Sequence, residues 1–269
     1  MLLLAISTLV WGQTFSLNER SALKTILNHA AIYCEKLKSA VFRYFCEEEI
    51  VETITNLKGK SSQNAYTYDY QIIGNKGKFK EKRNLILDNG KKVNKKNQKV
   101  KSNVYSFYSV FSPIVLFSRE NQKAYFYQLL GEEEIDGIMT VKLKVEPRTN
   151  RKEYMRGEII WLDKSDYSIL KIEMDPVNFK SFENLQSQAE KLKANLELID
   201  IHWYGEKVKG IRFPSKTEIR EIYHRPENPF KGIGSDYQHI YTIFVFRNYR
   251  FFEVSVNKIE AKSVDIEVK

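Results

Sequence analysis

The stretch Gly157-Glu-Ile-Ile-Trp-Leu-Asp-Lys-Ser-Asp-Tyr-Ser-Ile-Leu-Lys-Ile-Glu-Met-Asp-Pro176 decides the fold class. It predicts two strands, about Glu158–Leu162 and Ser168–Met174, joined by the polar turn Asp163–Asp166. In the second strand apolar residues alternate with Lys171 and Glu173, and this period of two is typical of a sheet with one buried and one solvated face. The stretch therefore predicts an antiparallel hairpin, and the rest of the chain repeats its pattern.

The positive charge of the chain is concentrated in one segment. Eleven basic and two acidic residues lie between Lys76 and Lys101, and their difference equals the whole net charge of +9. Nucleic-acid binding is not expected, because the lysine-rich part of this segment, Lys91–Lys101, contains no aromatic residue on which a base could stack. We expect a mobile loop here, either solvated without a partner or in loose contact with an anionic membrane surface.

The first thirteen residues predict an export signal. The apolar run Leu2–Val10 is too short to cross a bilayer, which needs about 20 apolar residues, and is typical of the core of a secretory signal. No basic residue precedes it, so we expect the leader to be truncated. The alternative is a buried N-terminal strand. We therefore expect a signal peptide over residues 1–13, one domain over residues 14–269, and a soluble periplasmic protein.

The cysteine and histidine content limits the metal and redox chemistry. Cys34 and Cys46 have two interpretations: a disulfide, as in many exported proteins, or two buried reduced thiols. Two cysteines with four scattered histidines do not make a zinc site. We expect no metal and no cofactor.

The remaining elements predict an α+β fold. Apolar residues at three- and four-residue steps predict a helix of about twenty residues after Ser16 and a second helix over Ser181–Asn195, and Ser112–Glu120 predicts a short apolar helix. Alternating stretches predict ten or eleven antiparallel strands, the last of them over Gln238–Val256 and broken near Asn248. No linker and no internal repeat divides the chain, so a single domain is expected.

Three segments carry a resemblance to a known family. They are Ala124–Gly137, the opening hairpin, and Val208-Lys-Gly-Ile-Arg-Phe-Pro214. Their order, with one long helix before the strands and a second helix before the last ones, resembles the outer-membrane lipoprotein carrier and lipoprotein-sorting (LolA/LolB-like) superfamily. The resemblance implies a strongly curved antiparallel sheet, an open half-barrel, wrapped around an N-terminal helix and a second helix.

This resemblance also implies a function and a set of site residues. It implies a non-enzymatic carrier or sensor, with an apolar cavity for lipid acyl chains or lipoproteins; a structural or protein-interaction domain of the cell envelope is the alternative. We expect a monomer. The residues expected to line the cavity are Tyr68, Tyr70, Leu85, Leu116, Phe117, Tyr127, Met139 and Trp161. Those expected to meet headgroups or the membrane are Arg83, Lys91, Lys92, Lys95 and Lys96.

No catalytic arrangement is predicted. Asp200, His202 and Tyr204 share one face of a strand, where a buried histidine with satisfied hydrogen bonds is expected more often than an acid–base pair. Glu221 and His224 have a spacing that brings ligands together on a helix, but on a strand their side chains diverge. We therefore expect no enzymatic activity.

Overall fold

The computed structural model describes residues 17–40, 44–56, 58–75, 78–101, 112–149, 158–175, 182–224 and 237–251. The predicted signal peptide lies outside these residues. Among the described helices we find none with the length and hydropathy that a membrane span requires.

The described residues contain three α-helices, which are α1 (Leu17–Ala40), α2 (Ser112–Phe117) and α3 (Phe182–Leu192), and a 3₁₀ turn over Gln122–Ala124. In α1 the buried positions Ile26, Ala30, Tyr33, Cys34 and Leu37 recur every three or four residues, so one stripe of the helix packs on the sheet. In α2 five of the six residues are buried. The predicted apolar helix is thus present, and it ends three residues earlier than expected.

Thirteen strands are described: β1 (Tyr44–Thr55), β2 (Ser61–Asn75), β3 (Lys78–Asp88), β4 (Lys91–Lys95), β5 (Tyr125–Ile135), β6 (Ile138–Pro147), β7 (Glu158–Asp163), β8 (Ile169–Met174), β9 (Asn195–Trp203), β10 (Glu206–Val208), β11 (Ile211–Phe213), β12 (Lys216–His224) and β13 (Tyr237–Phe251). Eleven of them form one antiparallel sheet in the order β4-β3-β2-β1-β13-β12-β9-β8-β7-β6-β5. The sheet is curved and open, because its end strands β4 and β5 do not pair with each other. This confirms the predicted fold class.

Side-chain alternation gives the sheet an inner and an outer face. On the inner face, directly opposed residues run from Tyr66 through Ile50 and Phe244 to Thr217 and His202. Most of the buried residues on this face belong to one continuous hydrophobic cluster that also contains residues of α1 and α2. The helices therefore pack on the concave side of the sheet, as predicted.

Two predicted details are wrong. The first half of the lysine-rich segment is the edge strand β4, whose register places Leu87 opposite Lys92, and not a loop. The final strand β13 is continuous through residue 251. The expected break at Asn248 is a β-bulge in which this residue has a φ of +58°, and the register with β1 shifts there.

Candidate functional site

Six of the eight predicted cavity residues lie together on the concave side. Tyr68, Leu85, Leu116 and Phe117 are fully buried, Tyr70 is almost so, and Tyr127 is partly buried against them. They come from β2, β3, α2 and β5, which the curvature of the sheet brings to one cluster. That these residues bind lipid stays a prediction.

The other two predicted cavity residues lie apart from this cluster. Trp161 alternates with Ile160 and Leu162 along β7 and therefore faces the outer side. Its ring lies between the ammonium groups of Lys142 and Lys171, at 4.8 and 4.1 Å, and its indole nitrogen donates to Glu133. Met139 lies at the tip of the β5–β6 hairpin, where 44% of it is exposed.

Helix α2 is held in the concave side by hydrogen bonds to its backbone carbonyls. The Tyr127 hydroxyl donates to the Leu116 carbonyl at 2.5 Å, and the Cys34 thiol donates to the Pro113 carbonyl at 3.1 Å. The Gln122 side-chain amide donates to the carbonyls of both Phe117 in α2 and Leu27 in α1. The bonds to Leu116 and Phe117 satisfy carbonyls at the C-terminal end of α2, where a helix leaves them without intrahelical partners.

In the structure the two cysteines are buried reduced thiols, the second of the two interpretations given above. Both thiols are free and buried. Cys34 is engaged with Pro113 of α2, whereas Cys46 lies on the inner face of β1 and contacts Tyr249 of β13. Burial raises the pKa of both thiols, so neither is a reactive thiolate. The alternative of a Cys34–Cys46 disulfide is wrong for this structure.

Arg83 lies inside the protein and not among the surface lysines with which it was grouped. Its guanidinium donates two hydrogen bonds to Glu48, at 2.5 and 2.8 Å, and one to Glu81, at 2.9 Å, and it stacks on Tyr70 with 4.5 Å to the ring centroid. Glu48 is fully buried. Burial raises the pKa of Glu48, and the positive charge of Arg83 opposes this rise without cancelling it. Arg83 is thus occupied by the protein's own carboxylates.

Sequence reasoning missed Glu48. The signal was available, because Tyr44, Cys46, Glu48 and Ile50 alternate along β1 and must share a face. A carboxylate in the middle of a buried row requires a cation on a neighbouring strand, and Arg83 on β3 supplies it across β2.

The four predicted headgroup lysines, Lys91, Lys92, Lys95 and Lys96, are all exposed at the β4 edge of the sheet. Three of them belong to β4 and Lys96 directly follows it, and among the described strands β4 pairs with β3 alone. A basic edge of this kind can meet an anionic surface, and it also prevents unwanted pairing with another sheet.

The rejected catalytic candidates are structural in the described part of the chain. His202 is fully buried, with Nδ1 3.0 Å from the Thr217 hydroxyl and Nε2 3.0 Å from Asp200. Glu221 is buried and accepts a hydrogen bond from Tyr223, whereas His224 pairs with Glu197 at the surface, 2.7 Å away. No group of histidine, cysteine and acidic residues within the described ranges is placed to hold a metal ion.

Two grooves of similar size open where helices meet the rest of the fold. One, of about 600 Å³, lies along the N-terminal half of α1 and is closed at one side by Gln122. The other, of about 620 Å³, lies between α3 and the start of β9 and is lined by Phe182, Ala189 and Leu198, with the acids Asp175 and Glu190. Both volumes fall in the range of small-molecule sites.

No protein-family model and no curated protein sequence matches this chain. Solved structures do. A DUF1329 family protein from Desulfovibrio piger is 16% identical, with a TM-score of 0.40 over 87% of this chain and 94% of that one. A putative outer membrane lipoprotein-sorting protein domain from Vibrio parahaemolyticus is 12% identical, with a TM-score of 0.38 over 86% and 95%.

A LolA superfamily protein from Nitrosomonas europaea is 11% identical, with a TM-score of 0.34 over 86% of this chain and 94% of that one. The descriptions of two of these three structures name lipoprotein sorting or the LolA superfamily, the superfamily that the sequence patterns resemble. The functional proposal below rests on the geometry of this chain.

Proposed function

We propose that this protein is a non-enzymatic carrier or sensor of the periplasm that holds lipid acyl chains on the concave side of its open sheet. The observation that carries the proposal is helix α2. Five of its six residues are buried between α1 and the sheet, yet the hydrogen bonds described above fix it mainly through its own backbone carbonyls.

A segment of this composition can be replaced by an acyl chain at little energetic cost. Leu116 and Phe117 fill the interior with hydrocarbon, and Phe117 packs on Tyr127 with ring centroids 5.7 Å apart. A sixteen-carbon chain gains roughly 10 kcal/mol on burial before ordering costs, which is enough to compete with six residues of helix. In the proposed cycle α2 moves outward and the chain occupies its place, against Tyr68, Leu85 and Tyr127.

Native mass spectrometry of the full chain with added monopalmitoylglycerol tests the proposal. We expect a one-to-one adduct. The variant Tyr127→Phe loses the hydroxyl that fixes the Leu116 carbonyl, and it should bind about fivefold more tightly because less energy is spent on freeing α2. Tyr241→Phe, which removes a hydroxyl that bonds Glu218 far from α2, is the matched control. Absence of an adduct in all three proteins would refute the proposal.

The exposed lysines extend the proposal to a membrane surface. Each lysine near an anionic bilayer contributes about 1 kcal/mol, so Lys91, Lys92, Lys95 and Lys96 together can hold the carrier loosely at its lipid source. Sedimentation with phosphatidylglycerol vesicles should therefore weaken steeply with added salt.

A second function, a protein-interaction domain of the cell envelope, is favoured by the other edge of the sheet. Within the part of the chain that the structure describes, strand β5 pairs on one side only, with β6, and two of its large apolar residues, Phe126 and Leu130, are 55% and 41% exposed. An edge of this kind can accept an added strand. This function predicts a co-purifying protein and no lipid adduct, so the same spectra distinguish the two.

A further inference from the structure

The groove along the N-terminal half of α1 has an unusual side-chain pattern. Its wall contains Arg20, Leu23, Lys24 and Leu27, at positions i, i+3, i+4 and i+7, which form one continuous stripe on a helix. The leucines are partly buried and pack against the hydrophobic core, whereas both cations are exposed. One stripe thus joins an apolar floor to two positive charges.

Among the side chains that the structure describes, no carboxylate neutralises these two charges. Within the described residues neither Arg20 nor Lys24 forms an ion pair, and none of the described residues that line the groove is acidic. Like charges at i and i+4 also destabilise a helix. Elsewhere on the same helix, by contrast, Glu35 pairs with Arg119 and Lys38 with Glu120. The helix thus pairs its charges along its second half and leaves two adjacent cations unpaired beside the groove.

The groove also communicates with the proposed acyl-chain site. Gln122, which lines the groove, is the residue whose amide bonds α1 to α2 through the carbonyls of Leu27 and Phe117. A ligand in the groove therefore lies at the seam between the two helices, where a displacement of α2 would begin. The groove volume of about 600 Å³ is of the size that small-molecule sites have.

We propose that this groove selects the ligand by its headgroup: it binds an anionic single-chain or double-chain lipid, with the phosphate between Arg20 and Lys24. The first part of the acyl chain lies along Leu23 and Leu27, and the chain then passes Gln122 into the place of α2. The inference rests on the proposed carrier function and narrows its substrate class from acyl chains in general to acidic lipids. The lysines of β4 have a different task, which is contact with the bilayer surface and not with the bound lipid.

The test compares two ligands that share one sixteen-carbon chain, palmitoyl lysophosphatidylglycerol, which has a phosphate, and monopalmitoylglycerol, which has none. Affinities are measured with the full chain by native mass spectrometry and by isothermal titration. The double variant Arg20→Gln/Lys24→Gln should bind the phosphate lipid about thirty-fold more weakly, since each cation contributes about 1 kcal/mol. Its affinity for the neutral lipid should not change.

Lys91→Gln/Lys92→Gln is the matched control, since it removes the same charge from the β4 edge. It should leave both one-to-one affinities intact and reduce only sedimentation with vesicles. The inference is overturned if wild type binds the two lipids equally, or if the β4 variant, and not the α1 variant, loses the phosphate lipid; in both cases the carrier function stands. If neither lipid binds to wild type, the carrier function itself falls, and this inference falls with it.

Discussion

Strand β1 forms ion pairs on both of its faces, and the pairs on the two faces differ in how far their side chains are exposed to solvent. Glu48 points inward, is fully buried, and accepts two hydrogen bonds from Arg83, which is 7% exposed. Its neighbours Glu47 and Glu49 point outward and pair with Arg247, whose side chain is 46% exposed. Three successive glutamates thus have two different environments, because a strand turns alternate side chains to opposite faces.

A third pair lies between these extremes. At the turn after β7, Arg212 donates to Asp163 at 2.5 Å, and both side chains are about 8% exposed. Asp163 also accepts hydrogen bonds from the hydroxyl and the amide of Ser165. Burial alone would raise the pKa of Asp163, but these bonds and Arg212 together lower it, whereas the pKa of Glu48 is raised. The direction of the pKa shift therefore depends on the balance between burial, which raises the pKa, and the donors around the carboxylate, which lower it.

The largest effect is expected from removing the inner arginine. Arg83→Met leaves Glu48 charged and buried with no cation and should cost about 3–5 kcal/mol of unfolding free energy. Arg212→Met should cost less, about 1–2 kcal/mol, since Asp163 keeps the two bonds from Ser165. Urea unfolding followed by tryptophan fluorescence measures both.

The double variant Glu48→Leu/Arg83→Met is the control for the first prediction. It removes both fully buried charges and should recover most of the loss, because a well-packed apolar pair replaces the buried ion pair. Glu81, which also loses Arg83, keeps the hydrogen bond from the Tyr70 hydroxyl. Equal losses for the two single arginine variants would show that the Ser165 bonds do not matter and would contradict the comparison.

Opposite pH dependence is the next expected effect. The lowered pKa of Asp163 gives stability that is present above the ordinary aspartate pKa and is lost as pH falls through the folded value. The raised pKa of Glu48 gives stability that is lost as pH rises from the ordinary glutamate pKa through the folded value. Over the range from about pH 2 to about pH 7, the cost of Asp163→Asn should grow, with the change below about pH 5, and that of Glu48→Gln should fall, with the change above about pH 4.

Urea unfolding of these two variants and wild type across that range checks the signs. If the costs of the two substitutions in unfolding free energy changed with pH in the same direction, the two carboxylates would have similar environments in the folded state, contrary to the structure.

The smallest effect is expected on the outer face. Arg247→Gln should cost less than about 1 kcal/mol, because its partners Glu47 and Glu49 are partly solvated, and the cost should disappear in high salt. A salt series of thermal unfolding measures it. A loss comparable with that of Arg83→Met would show that exposure does not separate the two faces of β1.

The sequence could predict most of the architecture and part of the site. Period-two alternation places Tyr68, Tyr70 and Leu85 on the inner face, and the same rule finds Glu48 once β1 begins at Tyr44. The assignment of Trp161 to the cavity did not follow this rule. Alternation places Trp161 on the face opposite to that of Ile160 and Leu162. On this outer face the ammonium groups of Lys142 and Lys171 lie over its ring.

Other features depend on contacts that are distant along the chain. Nothing local indicates that Gln122 bonds to Leu27, 95 residues away, or that β4 continues the sheet beyond β3. The groove beside α1 could be read from its helical stripe only after the packed face of the helix was known. Side-chain pattern predicts which face is apolar, but the partner of that face is decided by the topology.

The position of β13 has a consequence for how the protein is made. This strand contains the last described residues, yet it lies in the middle of the sheet, between β1 and β12, and among the described strands it alone joins the β1–β4 section to the rest. Residues as distant as Glu47 and Arg247 meet there. During synthesis the edges of β1 and β12 that pair with β13 lack this partner until β13 has emerged. Pairing between the two sections therefore forms only after β13 has been synthesised, and contacts of such long sequence separation form slowly.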